Sequence, residues 1–119
     1  MSRDIFVQDI PPGVRTVADI PDDWIPSPLP FGPEEVIAAV RELVSDADFS
    51  DPGWGNVSLP GVDIEVNLGH ESPLDSFALH VRASDPVAAD AFVTALLRRL
   101  DVRAFDPEGA EETGIFGNG

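Results

Sequence analysis

The sequence predicts an α+β fold. Specifically, it predicts a two-layer sandwich in which a mainly antiparallel sheet of four to five strands carries two helices on one face, in the order β-α-β-β-β-α-β. Three observations carry this. The middle of the chain alternates apolar and polar residues with period two, as strands with one covered face do. Two other segments repeat their apolar residues at helical spacing and open on a proline. The chain has 119 residues, of which 43 % are hydrophobic, so it should form one domain over residues 1–119 with a single core.

The elements follow in order. Ile5-Phe6-Val7-Gln8-Asp9-Ile10 is β-branched and reads as a strand, closed by Pro11-Pro12-Gly13. Residues 11–33 hold 7 of the 12 prolines, which fix their own φ and push their predecessors toward extended geometry. This stretch is a stiff strap, pinned across the core by Ile20, Trp24, Ile25, Leu29 and Phe31. A helix is expected over residues 33–44. Pro33 suits its first position, Glu34 and Glu35 complement the dipole, and Val36, Ile37, Val40, Leu43 and Val44 form its stripe. Phe31 and Val36 stand where a hydrophobic staple would if Gly32 is the cap.

Asp46-Ala47-Asp48-Phe49-Ser50-Asp51 reads as the exit from that helix. It lacks the central glycine and distal glutamate of a calcium loop, and Pro52 interrupts it. Val57-Ser58-Leu59, Val62 to Leu68 and Phe77 to Ala83 are the three alternating strands, with Pro60-Gly61 turning the first hairpin and a longer loop joining the second. Asp85 and Pro86 open a second helix that runs through Phe92, Val93, Leu96, Leu97 and Leu100, with Arg98 and Arg99 at its negative end. Val102 to Phe105 is a short last strand. Residues 109–119 are acidic and glycine-bearing, and are expected to be partly disordered except at Ile115-Phe116.

Composition then narrows the function. The 22 acidic and 7 basic residues leave a net charge of −15, so nucleic acid and anionic membranes would repel the chain. The acids are spread evenly, with 11 in residues 1–60 and 11 in residues 61–119, so no acidic tail can be detached. Every basic residue is arginine and Asp outnumbers Glu by 14 to 8, features that a GC-rich bacterial genome or a salt-adapted host would produce without any functional cause. With no cysteine, disulfides, thiolate metal sites and cysteine nucleophiles are excluded. No segment reads as a signal peptide or membrane span, so the expected location is the cytoplasm. Asn56-Val57-Ser58 matches a glycosylation sequon, which carries no weight without secretion.

One surface can be derived from parity. Pairing apolar with apolar sets Val66 against Leu79 and Ile64 against Val81, because a one-residue slip would move one apolar set into water. Glu65 then lies opposite His80 and Asp63 opposite Arg82, with Asn56 beside Glu65, Ser58 beside Asp63 and Trp54 near Asn67. Trp54, Asn56, Ser58, Asp63, Glu65, His80 and Arg82 form an open platform. It reads either as a solvated face whose charges pair, or as a binding surface anchored by Trp54.

Catalytic signals are sparse. His70 and His80, with Glu71 and Asp75 between them, match no metal motif, and His80 reads instead as a surface partner of Glu65. There is no G-x-S-x-G, no phosphate-cradling glycine loop and no lysine. No catalytic residue, metal site or cofactor is assigned, and a non-enzymatic role is favoured over an enzymatic one.

Trp54-Gly55 through Ile64-Glu65-Val66, His80-Val81-Arg82, the helix ending in Leu97-Arg98-Arg99-Leu100, and Arg103-Ala104-Phe105-Asp106 together resemble small acidic uncharacterised bacterial proteins. The layout of those proteins is similar to that of cytosolic immunity proteins, which neutralise toxins of competing cells. The resemblance covers roughly residues 54–116. It implies a fold and a class of partner and designates no functional residue. The functional expectation is a non-enzymatic acidic module that binds a basic protein, of immunity type. Alternatives are a small-ligand-binding or hydrolytic domain using Glu65, His80 and Arg82, and a structural α+β protein whose acidity is host-driven.

Overall fold

The computed structural model describes residues 2–11, 13–51, 53–69, 72–107 and 115–116. Seven antiparallel strands form one sheet in the order β2-β3-β4-β5-β1-β6-β7. These are β1 (Ser2–Gln8), β2 (Asp48–Asp51), β3 (Trp54–Leu59), β4 (Val62–Asn67), β5 (Ser76–Ala83), β6 (Ala104–Phe105) and β7 (Ile115–Phe116). Helices α1 (Pro33–Leu43) and α2 (Pro86–Leu100) pack on one side of it. The α+β sandwich is therefore as expected, with overall extents of 37 × 32 × 19 Å.

The sheet is wider than the expected four to five strands because two further segments join its edges. Asp48–Asp51 is a strand rather than a helix exit. Its Phe49 is buried and lies against Gly55 of β3, where a Cβ would collide with the Phe49 ring. A bare glycine beneath an aromatic ring is what lets the short acidic strand close on its neighbour. At the other edge, Ile115–Phe116 pairs with Ala104–Phe105. The remainder of the predicted tail lies outside the described residues.

Alternation does the work inside the sheet. Val62, Ile64 and Val66 of β4 and Phe77, Leu79 and Val81 of β5 are buried against the helices, as are Ile5 and Val7 of β1. From the helix side they meet Val36, Ala39 and Val40 of α1 and Phe92, Val93, Leu96 and Leu97 of α2. Each such aliphatic side chain contributes about 1.5–3 kcal/mol by leaving water. The helix ends at Leu43, one residue short of the expected bound, and of its stripe only Leu43 is exposed; Val44 is buried and caps α1 through its N–H to the Val40 carbonyl. At the start of α1 the Gly32 N–H donates to the Glu35 carboxylate (3.0 Å).

Asp85 caps α2 by accepting from the Ala88 N–H at 3.1 Å. At the far end Asp101 adopts a left-handed backbone, φ 55°, so that its N–H reaches Arg98 and the Val102 N–H reaches Leu97. One ion pair links the layers, Arg3 of β1 to Asp90 of α2, and another links the two helices, Arg99 of α2 to Glu42 of α1.

The proline strap runs as expected but is held mainly at its ends. The Leu29 N–H donates to the Leu74 carbonyl and the Leu74 N–H to the Phe31 carbonyl, which zips the strap to the loop before β5. Trp24 donates its indole N–H to the Asp9 carbonyl at 2.9 Å, and Arg103 grips the Pro11 and Val14 carbonyls. Leu29 and Phe31 are buried and Ile20 and Trp24 half-buried, whereas Ile25 is 84 % exposed and pins nothing. Proline-fixed extended geometry dictates which way a residue between turns points, and at Ile25 it points outward.

Candidate functional site

Among the described residues, neither helix covers the second face of the sheet. Its side chains fall in transverse rows set by the strand register. One row runs Asn56, Glu65, His80 and Asp4 across β3, β4, β5 and β1. The next runs Ser58, Asp63 and Arg82 across β3, β4 and β5. Trp54 heads a third, opposite Asn67. All seven residues expected on the platform therefore share one face, and Ile64 and Val81 point the other way into the core.

The local bonding refines this picture at His80. Glu65 is its cross-strand neighbour, but its Nδ1 lies 2.6 Å from Oδ1 of Asp4 on the opposite side, where the ring N–H donates to the carboxylate. The expected partnership with Glu65 is thus replaced by one with Asp4. An antiparallel neighbour on each flank offers His80 two carboxylates, and it is Asp4 that lies within hydrogen-bond distance of the ring. Trp54, 40 % exposed, stacks on the same imidazole with ring centroids 6.0 Å apart and planes at 25°. Ser58 donates its hydroxyl to Asp63 at 3.1 Å.

Two shallow hollows border His80. One, of about 310 Å³, is bounded by Arg3, Asp4, Trp54, Glu65, His80 and Arg82. The other, of about 220 Å³, is bounded by Asn56, Ser58, Asp63, Glu65, His80 and Arg82. A third hollow of about 370 Å³ lies away from the platform, between the strap and the end of α2. There Asp9 accepts from the Ser27 N–H and Arg103 donates to the strap carbonyls through its two terminal nitrogens, while its buried Nε has no hydrogen-bond partner. Burial holds the Arg103 guanidinium below its ordinary pKa.

Asp4 is the site residue that sequence reasoning missed. The alternation of Arg3-Asp4-Ile5-Phe6-Val7 does place Asp4 and Phe6 on the face opposite Ile5 and Val7. What it cannot supply is the neighbour, because Asp4 and His80 are 76 positions apart and meet only through the β1–β5 pairing. Of the candidate ligand set drawn around His70, both His70 and Glu71 lie outside the described residues, and Asp75 is exposed just before β5. Among the described residues no group of three or more His, Asp or Glu side chains could hold a metal ion, and no helix is long and apolar enough to cross a membrane.

Chemically, the arrangement offers an aromatic anchor, a hydrogen-bonded imidazole and carboxylates at fixed spacing on a rigid sheet. No family model, curated protein or solved structure matches the chain.

Proposed function

We propose that this protein is a non-enzymatic binding module whose open sheet face engages a basic protein, in the manner of an immunity protein that occludes a toxin. The observation that supports this most directly is Trp54. A large ring is kept 40 % exposed and stacked on His80, on the uncovered face, in a hollow shared with Asp4 and Glu65 as well as Arg3 and Arg82. Exposed tryptophan anchors interfaces because it brings much contact area at little entropic cost. A net charge of −15 would steer a cationic partner toward that face and repel anionic ones. An immunity role entails a bacterial cytoplasmic location, which belongs to the same proposal.

Affinity capture tests it. Wild-type protein and the double variant Trp54→Ala, Glu65→Lys are immobilised side by side, and retained proteins from the source cells are identified. A basic protein held by the wild type, lost by the variant and released by salt is the expected result. Retention that is equal on both columns would remove the open face from the account.

A second reading draws on the Asp4–His80 bond. A carboxylate that orients an imidazole also appears in acid–base sites, and the adjacent 310 Å³ hollow could admit a small polar ligand. That alternative predicts that His80→Gln abolishes binding of a small molecule while leaving capture of a basic protein intact.

A further inference from the structure

The register aligns more than polar groups. Trp54, Asn67, Ala78, Phe6, Phe105 and Ile115 occupy successive strands β3, β4, β5, β1, β6 and β7 in one row on the open face. Phe6 and Phe105 touch, with ring centroids 5.7 Å apart, and Ala78, Phe6, Phe105 and Ile115 are only half-buried. Apart from Asn67 the row is an apolar stripe running across the strands. Beside it lies the row containing Glu65, His80 and Asp4, and beyond that the row of Asp63 and Arg82, so that the acids nearest the stripe are Glu65 and Asp4 and the one arginine of these rows stands farther off.

We infer that this stripe is the seat of a cationic amphipathic helix from the partner, an inference that rests on the binding-module reading above. Charge selects the occupant. A second copy would bring Asp4, Asp63 and Glu65 against their own kind on a chain of net charge −15, and an anionic lipid surface would meet the same repulsion. Backbone chemistry selects its conformation. The interior strands exchange their hydrogen bonds with each other, so the face offers an extended peptide no backbone partners, whereas a helix arrives with its own satisfied. Length agrees as well. Five interstrand steps of about 4.8 Å span about 24 Å, the length of a helix of about sixteen residues. Its apolar side would lie on Trp54, Phe6 and Phe105, and its Lys or Arg side chains would overhang Asp4 and Glu65.

Isothermal titration at low salt tests this with two sixteen-residue Leu/Lys peptides. In one the leucines recur at i, i+3, i+4 and i+7; the other is a scramble of identical composition. The amphipathic peptide should bind at least about tenfold tighter than the scramble, and Trp54→Ala should remove most of that margin. Ala78→Lys, which places a cation in mid-stripe without emptying the core, should do the same, with thermal melts verifying that both variants fold. Equal affinities untouched by either substitution would overturn the helix inference while leaving an electrostatic binding module standing. Absence of binding by both peptides would overturn the two together.

Discussion

Gly55 lies in β3 directly beneath the ring of Phe49 on β2, and a Cβ there would overlap that ring. The edge strand closes on the sheet only because this position has no side chain. Gly55→Ala should therefore destabilise the protein by about 1–3 kcal/mol in urea unfolding. The same substitution made in Phe49→Ala should cost far less, because the colliding ring is gone. Equal costs in both backgrounds would place the strain elsewhere. At the residue scale His80 shows a similar dependence on its neighbours. Its ring has Trp54 stacked on it and Asp4 bonded to Nδ1, and those two partners come from β3 and β1, on opposite sides of β5.

At the scale of elements, the helices are tied to each other as well as to the sheet. Arg99 of α2 holds Glu42 of α1 through two guanidinium nitrogens, and that hydrogen bonding, more than the charge alone, keeps the Glu42 carboxyl below its ordinary pKa. A carboxyl depressed in the folded state stabilises the fold above its unfolded pKa, and the contribution fades as pH falls through the folded value. Glu42→Gln should thus lower the melting temperature at neutral pH, and the gap from wild type should close as the solution is acidified through the carboxylate range. A gap that persisted at low pH would show that the side chain acts through packing. Both groups are solvent-exposed, so salt should narrow the gap at neutral pH too.

At the scale of the whole molecule, net charge dominates. A chain at −15 repels itself, so added salt should raise the melting temperature of the isolated protein by screening. The same salt should slow association with a cationic partner, since steering falls with ionic strength. The two trends separate the readings of the acidity. Stopped-flow association rates that are flat in salt while the melting temperature climbs would assign the charge to the host's chemistry and not to recognition.

The sequence by itself determined which side of each central strand faces the core, because side chains alternate strictly and Val62, Ile64, Val66, Leu79 and Val81 leave no other low-energy parity. It likewise determined both helices, through Pro33 with Glu34 and Glu35 at the start of α1 and the Asp85 cap with Pro86 at the start of α2. Turn and cap chemistry is local, so it is legible residue by residue. Only the tertiary structure decided that β1 enters the middle of the sheet beside β5, that Asp48–Asp51 is a strand, and that His80 bonds Asp4 and not Glu65. Those outcomes hang on contacts between distant positions, where several strands could have satisfied the same alternating pattern. The choice among them is made by how the whole apolar surface is best covered.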